Sequence, residues 1–123
     1  MAYYFLFPEK DATLYSHPDR KLMNTGGDEI LEIVKERATT NSRYYPTRIL
    51  VAFNNEEIQS TINLIGSENF NHPTSSVNLK LPTVQPKNLS DVLNLEVFAL
   101  AESWNEGKGR YTNFPTSSGG CTW

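Results

Sequence analysis

The sequence contains a single cysteine, Cys121, and only two histidines, His17 and His72. One cysteine excludes an internal disulfide framework and a zinc site built from four cysteines. Each histidine stands beside a proline in a turn-like context, far from Cys121 along the chain. Because a thiolate nucleophile needs a histidine base close by, we expect Cys121 to be a half-buried structural side chain rather than a catalytic one.

Charge of either sign is also sparse. The 11 basic and 14 acidic residues are scattered along the chain and leave a net charge of −3, so we predict no nucleic-acid partner, which would need a dense basic patch. The acidic residues include two adjacent pairs, Asp28-Glu29 and Glu56-Glu57. Neighbouring side chains point to opposite faces of a strand and diverge on a helix, so neither pair converges on one bond. We therefore predict no enzymatic activity.

Long apolar runs are missing as well. The first seven residues are apolar, but they are too short to span a membrane, and they lack a basic leader and a small-residue cleavage site. We predict neither a signal peptide nor membrane insertion. With 38% hydrophobic residues and little net charge, the composition is that of a folded chain, and a length of 123 residues predicts one domain, residues 1–123.

What is present is a series of short apolar segments separated by turn signals, which is typical of an all-β fold. Tyr44–Phe53 contains a continuous apolar run at 49–53, so we expect it to be a central strand buried on both faces. Segment 29–36 fits a helical face or a strand, and the Gly-Gly turn before it favours the strand. The other expected strands are 3–7, 11–16, 76–81 and 91–101.

One short helix is predicted at 54–65. Asn54 is suited to cap its first turn with Glu57 three residues later, and Gly66 is suited to end it. Ile58, Ile62 and Ile65 follow one another at helical spacing. We expect this apolar stripe to pack across one end of a β-sandwich.

The last twenty residues, 104–123, begin and end with the two tryptophans of the chain and hold four of its seven glycines. We call this segment the tryptophan loop. The glycines and Pro115 disfavour a regular helix or a long strand. Trp104, Tyr111, Phe114 and Trp123 are nevertheless too apolar for a free tail, so we predict an ordered loop whose aromatic side chains fold onto a core. Glu106 is expected to accept backbone N–H bonds within it.

The tryptophan loop also carries a family resemblance. Its pattern runs through the following residues: Ser103, Trp104, Glu106, Gly107, Gly109, Pro115, Gly120, Thr122 and Trp123. In this pattern the chain resembles the DNRLRE-type domain, a β-sandwich module of bacterial and phage surface proteins. Further similar elements are Phe7-Pro8, Asp11-Ala12-Thr13, Gly26-Gly27 and the arginine-led strand 48–53. The resemblance spans nearly the whole chain.

The resemblance implies a jelly-roll-type β-sandwich with one short helix. Members of the family continue past the second tryptophan with further strands that close the sandwich. We therefore expect residues 1–123 to be the N-terminal part of a longer chain, or a sandwich whose missing strands come from a neighbouring subunit.

The resemblance also implies a function. We expect a structural protein of a tailed-phage virion, made in the host cytoplasm, that docks with other virion proteins in a symmetric assembly as an adaptor, decoration or fibre-associated component. The alternative is a carbohydrate-binding or adhesion module without catalytic activity. For that role Tyr44, Tyr45 and Tyr111, with Trp104, are candidates to stack on cell-surface glycans.

Carbohydrate-binding modules that look like this family often hold a structural calcium ion. Asp11, Asp28 and Glu29 are weak candidates for its oxygen ligands, because no ligand-spaced motif accompanies them. We expect no other cofactor.

Overall fold

The structure is a computed structural model that describes residues 2–84, 87, 94–113 and 119–123. It contains three strands, β1 (Pro8–Tyr15), β2 (Lys35–Arg37) and β3 (Tyr44–Phe53). Two helices follow, α1 (Asn55–Ile65) and α2 (Ser67–Phe70), and a single 3₁₀ turn lies at Tyr111–Asn113. The result is a small β-rich domain with one three-stranded antiparallel sheet in the order β1-β3-β2.

Strand β3 is the centre of this sheet, as its apolar run predicts. It pairs with β1 from Phe53 opposite Pro8 to Thr47 opposite Tyr15, with an irregularity in β1 between Pro8 and Lys10. Its pairing with β2 is much shorter and covers only the first three residues of β3, beginning with Tyr44 opposite Arg37. The two neighbours of β3 therefore cover different lengths of it.

Strand β1 carries most of the buried core, although it lies at an edge of the sheet. Four of its residues, on both faces, are buried: Ala12, Thr13, Leu14 and Tyr15. The buried segment 23–25 runs along the outer edge of β1. There Thr25 Oγ1 accepts a bond from the Thr13 N–H at 3.1 Å and donates to the Thr13 carbonyl at 2.8 Å. One threonine hydroxyl thus satisfies the backbone groups that a neighbouring strand would otherwise bind.

Helix α1 forms where local signals predict it. Asn54 Oδ1 accepts from the Glu56 and Glu57 N–H groups at 2.9 and 3.2 Å, and Gly66, with a φ of +84°, ends the helix. However, its isoleucine stripe is only half-buried, and α1 packs mainly against α2. The expectation that it closes one end of a sandwich is not confirmed.

Several strand predictions are wrong. Segments 3–7, 76–81 and 94–101 lie outside any ladder, and residues 91–93 of the last prediction lie outside the described residues. In 29–36 only Lys35 and Glu36 belong to a strand. Alternation creates an apolar face, but a ladder also needs a partner edge, which sequence periodicity does not specify.

The central strand also differs from expectation in its burial. None of the residues of β3 is fully buried, because the described part of the chain contains no second sheet that packs on this one. The jelly-roll sandwich is therefore not confirmed, whereas the β-rich class is. No helix in the described ranges is long and apolar enough to cross a membrane.

Candidate functional site

A buried asparagine holds the tryptophan loop to the N-terminal half of the chain. The side chain of Asn24 is inaccessible to solvent. Its Nδ2 donates to the Glu106 carbonyl at 2.7 Å and to the Cys121 carbonyl at 3.0 Å. Its Oδ1 accepts from the Gly109 N–H at 2.9 Å and from the Gly26 N–H at 3.4 Å. The amide therefore uses its full bonding capacity, as a buried polar group must. We call this cluster the Asn24 junction.

Two glycines of the junction have no room for a side chain. A Cβ on Gly107 would lie 2.3 Å from Asn24 Oδ1, and the φ of Gly107 is +77°, which disfavours other residues. A Cβ on Gly109 would lie 2.3 Å from the Asn24 carbonyl oxygen. These positions, singled out by the family pattern, are therefore explained by close packing of backbone against Asn24.

The tryptophan loop is also bonded directly to β1. Glu106 Oε1 accepts from the Asp11 N–H at 2.7 Å, on the outer edge of the strand. Next to it, Lys10 Nζ donates to the Trp104 carbonyl at 2.6 Å. Burial, and then the nearby Glu106 carboxylate, raise the pKa of Asp11 above its usual value. A backbone bond to Glu106 therefore brings two acidic side chains together.

One face of the sheet presents cations stacked on aromatic rings. Lys10 Nζ lies 4.7 Å from the Trp104 ring centroid, and the Arg48 guanidinium lies 4.4 Å from that of Trp123. Lys35 lies 5.5 Å from the ring of Tyr44. The strand register places Lys10, Arg48 and Lys35 on the same face. We call it the cationic face; each such pair stabilises the fold by about 0.5–1 kcal/mol at exposed sites.

The opposite face carries a second aromatic group centred on Tyr15. The ring of Tyr15 lies 5.7 Å from that of Tyr111, and its hydroxyl donates to the Glu32 carboxylate. Burial, and then the bond to Glu32, raise the pKa of Tyr15 far above its usual range. Arg20 lies 5.7 Å from the Tyr111 ring and is ion-paired with Glu36 on β2. This group packs the tryptophan loop onto the sheet.

The three tyrosines predicted to contact glycans are divided between the two faces. Tyr45 and Tyr111 lie on the Tyr15 side, where the ring of His17 packs 5.3 Å from that of Tyr45. Tyr44 lies on the cationic face. The structure therefore does not bring all three together. Tyr44 and Tyr111 are the more accessible, with 57% and 43% of their surface exposed.

The three carboxylates considered as calcium ligands each have a different environment. Asp11 adjoins Glu106, Asp28 Oδ2 accepts the Tyr111 N–H at 2.9 Å, and Glu29 is exposed. Within the described ranges, no three His, Cys, Asp or Glu side chains form a cluster that could hold a metal ion. Asp28 instead fixes the backbone of the tryptophan loop at Tyr111.

The single cysteine belongs to the Asn24 junction. Cys121 is half-buried, its N–H donates to the Asn105 carbonyl at 2.8 Å, and its Sγ lies 3.9 Å from Asn24 Nδ2. Burial raises the pKa of the Cys121 thiol, so its environment favours the neutral form. This placement agrees with the structural role expected from the sequence.

A groove of about 570 Å³ lies between β3 and the segment that leads into the tryptophan loop. One wall is formed by residues 49–53 of β3 with Glu9 and Lys10, and the other by residues 98–104. The wall formed by β3 is apolar, whereas Glu9 and Glu102 add negative charge and Lys10 adds positive charge. Such a groove beside an exposed strand is suited to binding an extended chain.

Sequence reasoning did not identify Asn24 or the cations that stack on the two tryptophans. Asn24 occurs in an Asn-Thr-Gly-Gly run that resembles an ordinary turn, and nothing local marks it as buried.

In comparisons with protein families, curated proteins and solved structures, the chain has no match.

Proposed function

We propose that this chain is a non-catalytic docking module and a structural component of a tailed-phage virion. The observation that carries the proposal is the exposure of apolar side chains in segments with a strand-like sequence. Val77 is 84% exposed and Phe98 is 79% exposed, and each has exposed apolar neighbours in its own segment. Contiguous exposed apolar surface of this kind is characteristic of protein interaction sites.

The total surface of the chain supports a docking role. Its accessible surface is 10216 Å² for a mass of 13.9 kDa. A compact monomer of this mass exposes about 6,700 Å². The excess of about 3,500 Å² on one chain exceeds the roughly 1,000–2,500 Å² that each partner buries in large, permanent protein interfaces. A chain that assembles with others would bury such surface, and this is what a virion component does.

The assignment to a virion rests on the resemblance to the DNRLRE-type domain. The residues that carry it include Glu106, Gly107, Gly109 and Gly120, all of which take part in or pack on the Asn24 junction. The resemblance therefore involves residues that build the fold, which favours a shared scaffold over a chance pattern. In this proposal the Asn24 junction provides a rigid platform, and the exposed apolar segments provide the docking surface.

Labelling of assembled particles tests this function. Antibodies raised against the purified chain should bind purified phage particles of the source at a fixed structural position when detected by immunogold electron microscopy. Pre-incubation of the antibody with free chain should abolish the labelling. The proposal would be contradicted if the particles carry no label and if the denatured particle proteins also show no band that reacts with the antibody.

A carbohydrate-binding role is the second candidate, and the exposure of Tyr44 and Tyr111 favours it, since exposed aromatic rings stack on sugars. A glycan array probed with the purified chain tests it. Binding that is lost in Tyr44→Ala or Tyr111→Ala, and retained in the control Tyr4→Ala, would support this role. Equal signals for all variants, or no signal, would oppose it.

A further inference from the structure

The central strand has an unpaired edge over half of its length. Alternate residues of a strand direct their backbone groups to opposite neighbours. The Thr47 N–H donates to the Val34 carbonyl at 3.0 Å, on the side of β2. Ile49, Val51 and Phe53 direct their backbone groups to that same side, but β2 pairs only with Tyr44–Pro46. Among the described residues, no hydrogen-bond partner of these three backbones is found.

The opposite edge of the sheet is closed in a different way. On β1 the outward N–H groups of Asp11 and Thr13 are bound by Glu106 Oε1 and Thr25 Oγ1. The unpaired length of β3 differs from this closed edge of β1. An apolar strand edge that is left open is a template for pairing with another strand. Residues 49–53 of this part of β3 also line the groove described above, together with Glu9 and Lys10 of β1.

The same chain carries a segment with the properties of the missing strand. Residues 76–81, Ser-Val-Asn-Leu-Lys-Leu, alternate strictly between apolar and polar side chains. Val77, Leu79 and Leu81 are all exposed, and the segment belongs to no ladder. Its length of six residues equals that of the open stretch 48–53. In its own chain it lies near Phe5, where Lys80 Nζ is 5.5 Å from the ring centroid.

We propose that a second copy of this chain supplies the missing strand, with residues 76–81 of each copy pairing along the open edge of β3 in the other. The proposal rests on the docking function proposed above and names its partner. Because each copy has both an open edge and a strand to donate, the exchange is reciprocal and closes as a symmetric dimer. The apolar alternation of the donated strand matches the apolar wall of the groove.

Surface area favours this occupant. The excess surface of about 3,500 Å² per chain exceeds what a standard protein interface requires from one partner.

The first test is the mass of the chain in solution, measured by light scattering coupled to size-exclusion chromatography. The wild type should have twice the mass of the 13.9 kDa chain at micromolar concentration. Leu79→Asp places a charge on the apolar side of the donated strand and should yield monomers. Asn78→Asp introduces the same charge one residue away, on the polar side, and should remain dimeric. Circular dichroism should show equal folded content for all three proteins.

The second test is amide hydrogen exchange, which reports the pairing itself. In the wild type the amides of Ile49, Val51 and Phe53 should exchange about a hundredfold more slowly than in Leu79→Asp, because only the dimer binds them. The amides of Arg48, Leu50 and Ala52, which face β1, should be protected in both proteins. This odd-and-even pattern distinguishes strand pairing from dimerisation through another surface.

Three results would overturn the proposal: a monomeric wild type, a dimer that persists in Leu79→Asp, or a dimer in which Ile49, Val51 and Phe53 exchange rapidly. These outcomes are independent of the particle labelling. If the chain is monomeric but the antibody labels virions, the strand exchange is refuted and the docking function stands. If the chain forms the strand-exchanged dimer but is absent from particles, the virion function is refuted and the strand exchange stands.

Discussion

At the scale of single residues, the fold depends on a polar side chain placed where an apolar one would be expected. Asn24 is fully buried and binds backbone groups from both halves of the chain. Two carbonyl groups and the Gly109 N–H would lose their partner if this amide were removed. A buried donor or acceptor without a partner lowers the free energy of unfolding by more than a hydrogen bond adds to it, because the loss of its bonds to water is not compensated.

We therefore predict that Asn24→Ala lowers the free energy of unfolding by about 3 kcal/mol. Denaturant titration followed by tryptophan fluorescence measures this change. The matched control is Asn63→Ala, because the Asn63 side chain bonds Gln59 on the exposed surface of α1. It should alter stability by no more than about 0.5 kcal/mol. Equal unfolding midpoints for Asn24→Ala and the wild type would refute the structural role of the junction.

Asp11 gives a prediction about pH. Its pKa in the folded chain is raised above the usual 3.8, first by burial and then by Glu106. A raised pKa means that the protonated form stabilises the fold, and that this contribution is lost as the pH rises through the folded pKa. Asp11→Asn mimics the protonated form. Its melting temperature should exceed that of the wild type at about pH 7, and the difference should vanish at about pH 3.

The control for Asp11 is Glu29→Gln, which neutralises an exposed carboxylate. Thermal melts followed by circular dichroism at both pH values decide the outcome. A constant difference between Asp11→Asn and the wild type at every pH would show that the carboxyl group is not destabilised in the folded chain.

Residue-level prediction fails where the chemistry depends on distant partners. Glu106 was expected to accept backbone N–H bonds within the tryptophan loop, but the N–H group that it binds belongs to Asp11 on β1, 95 residues away in sequence. The buried role of Asn24 was not expected, since its partner carbonyl on Glu106 is 82 residues away in sequence. Neither composition nor spacing indicates which asparagine meets such a partner.

At the scale of elements, α1 is the best-predicted part of the chain because its start and stop signals are local. Asn54→Ala should reduce stability by about 1 kcal/mol, since the first-turn N–H groups of Glu56 and Glu57 lose their acceptor. The control Asn55→Ala, one residue further into the helix, should change stability by only a few tenths of a kcal/mol and in the stabilising direction. Chemical denaturation compares the two; similar losses for both variants would exclude a capping role.

The strands show the limit of the same reasoning. Tyr44–Phe53 forms a strand with the predicted bounds, whereas 76–81, with an equally clear alternation, joins no ladder. Alternation indicates that a segment can lie half-buried in a sheet, but the partner edge is a non-local property. For 29–36 the pattern was ambiguous from the start, and most of that segment proved irregular.

At the scale of the whole molecule, the two ends of the described chain are joined while much apolar surface stays exposed. Lys10 and Asp11 on β1 are bonded to Trp104 and Glu106 in the tryptophan loop. The open edge of β3 and the segments 76–81 and 94–101 face outward. The sequence could predict a β-rich class from its short apolar segments, but it could not specify which of them pair within one copy.

The most direct measurement is the melting temperature of the purified chain as a function of its own concentration. A fold completed by a second copy is stabilised by mass action, so its melting temperature rises with protein concentration. We predict a rise of about 5 °C for about a hundredfold increase in concentration, and a much smaller rise for Leu79→Asp. A melting temperature that is the same at all concentrations would contradict the claim that this chain is completed by a second copy of itself.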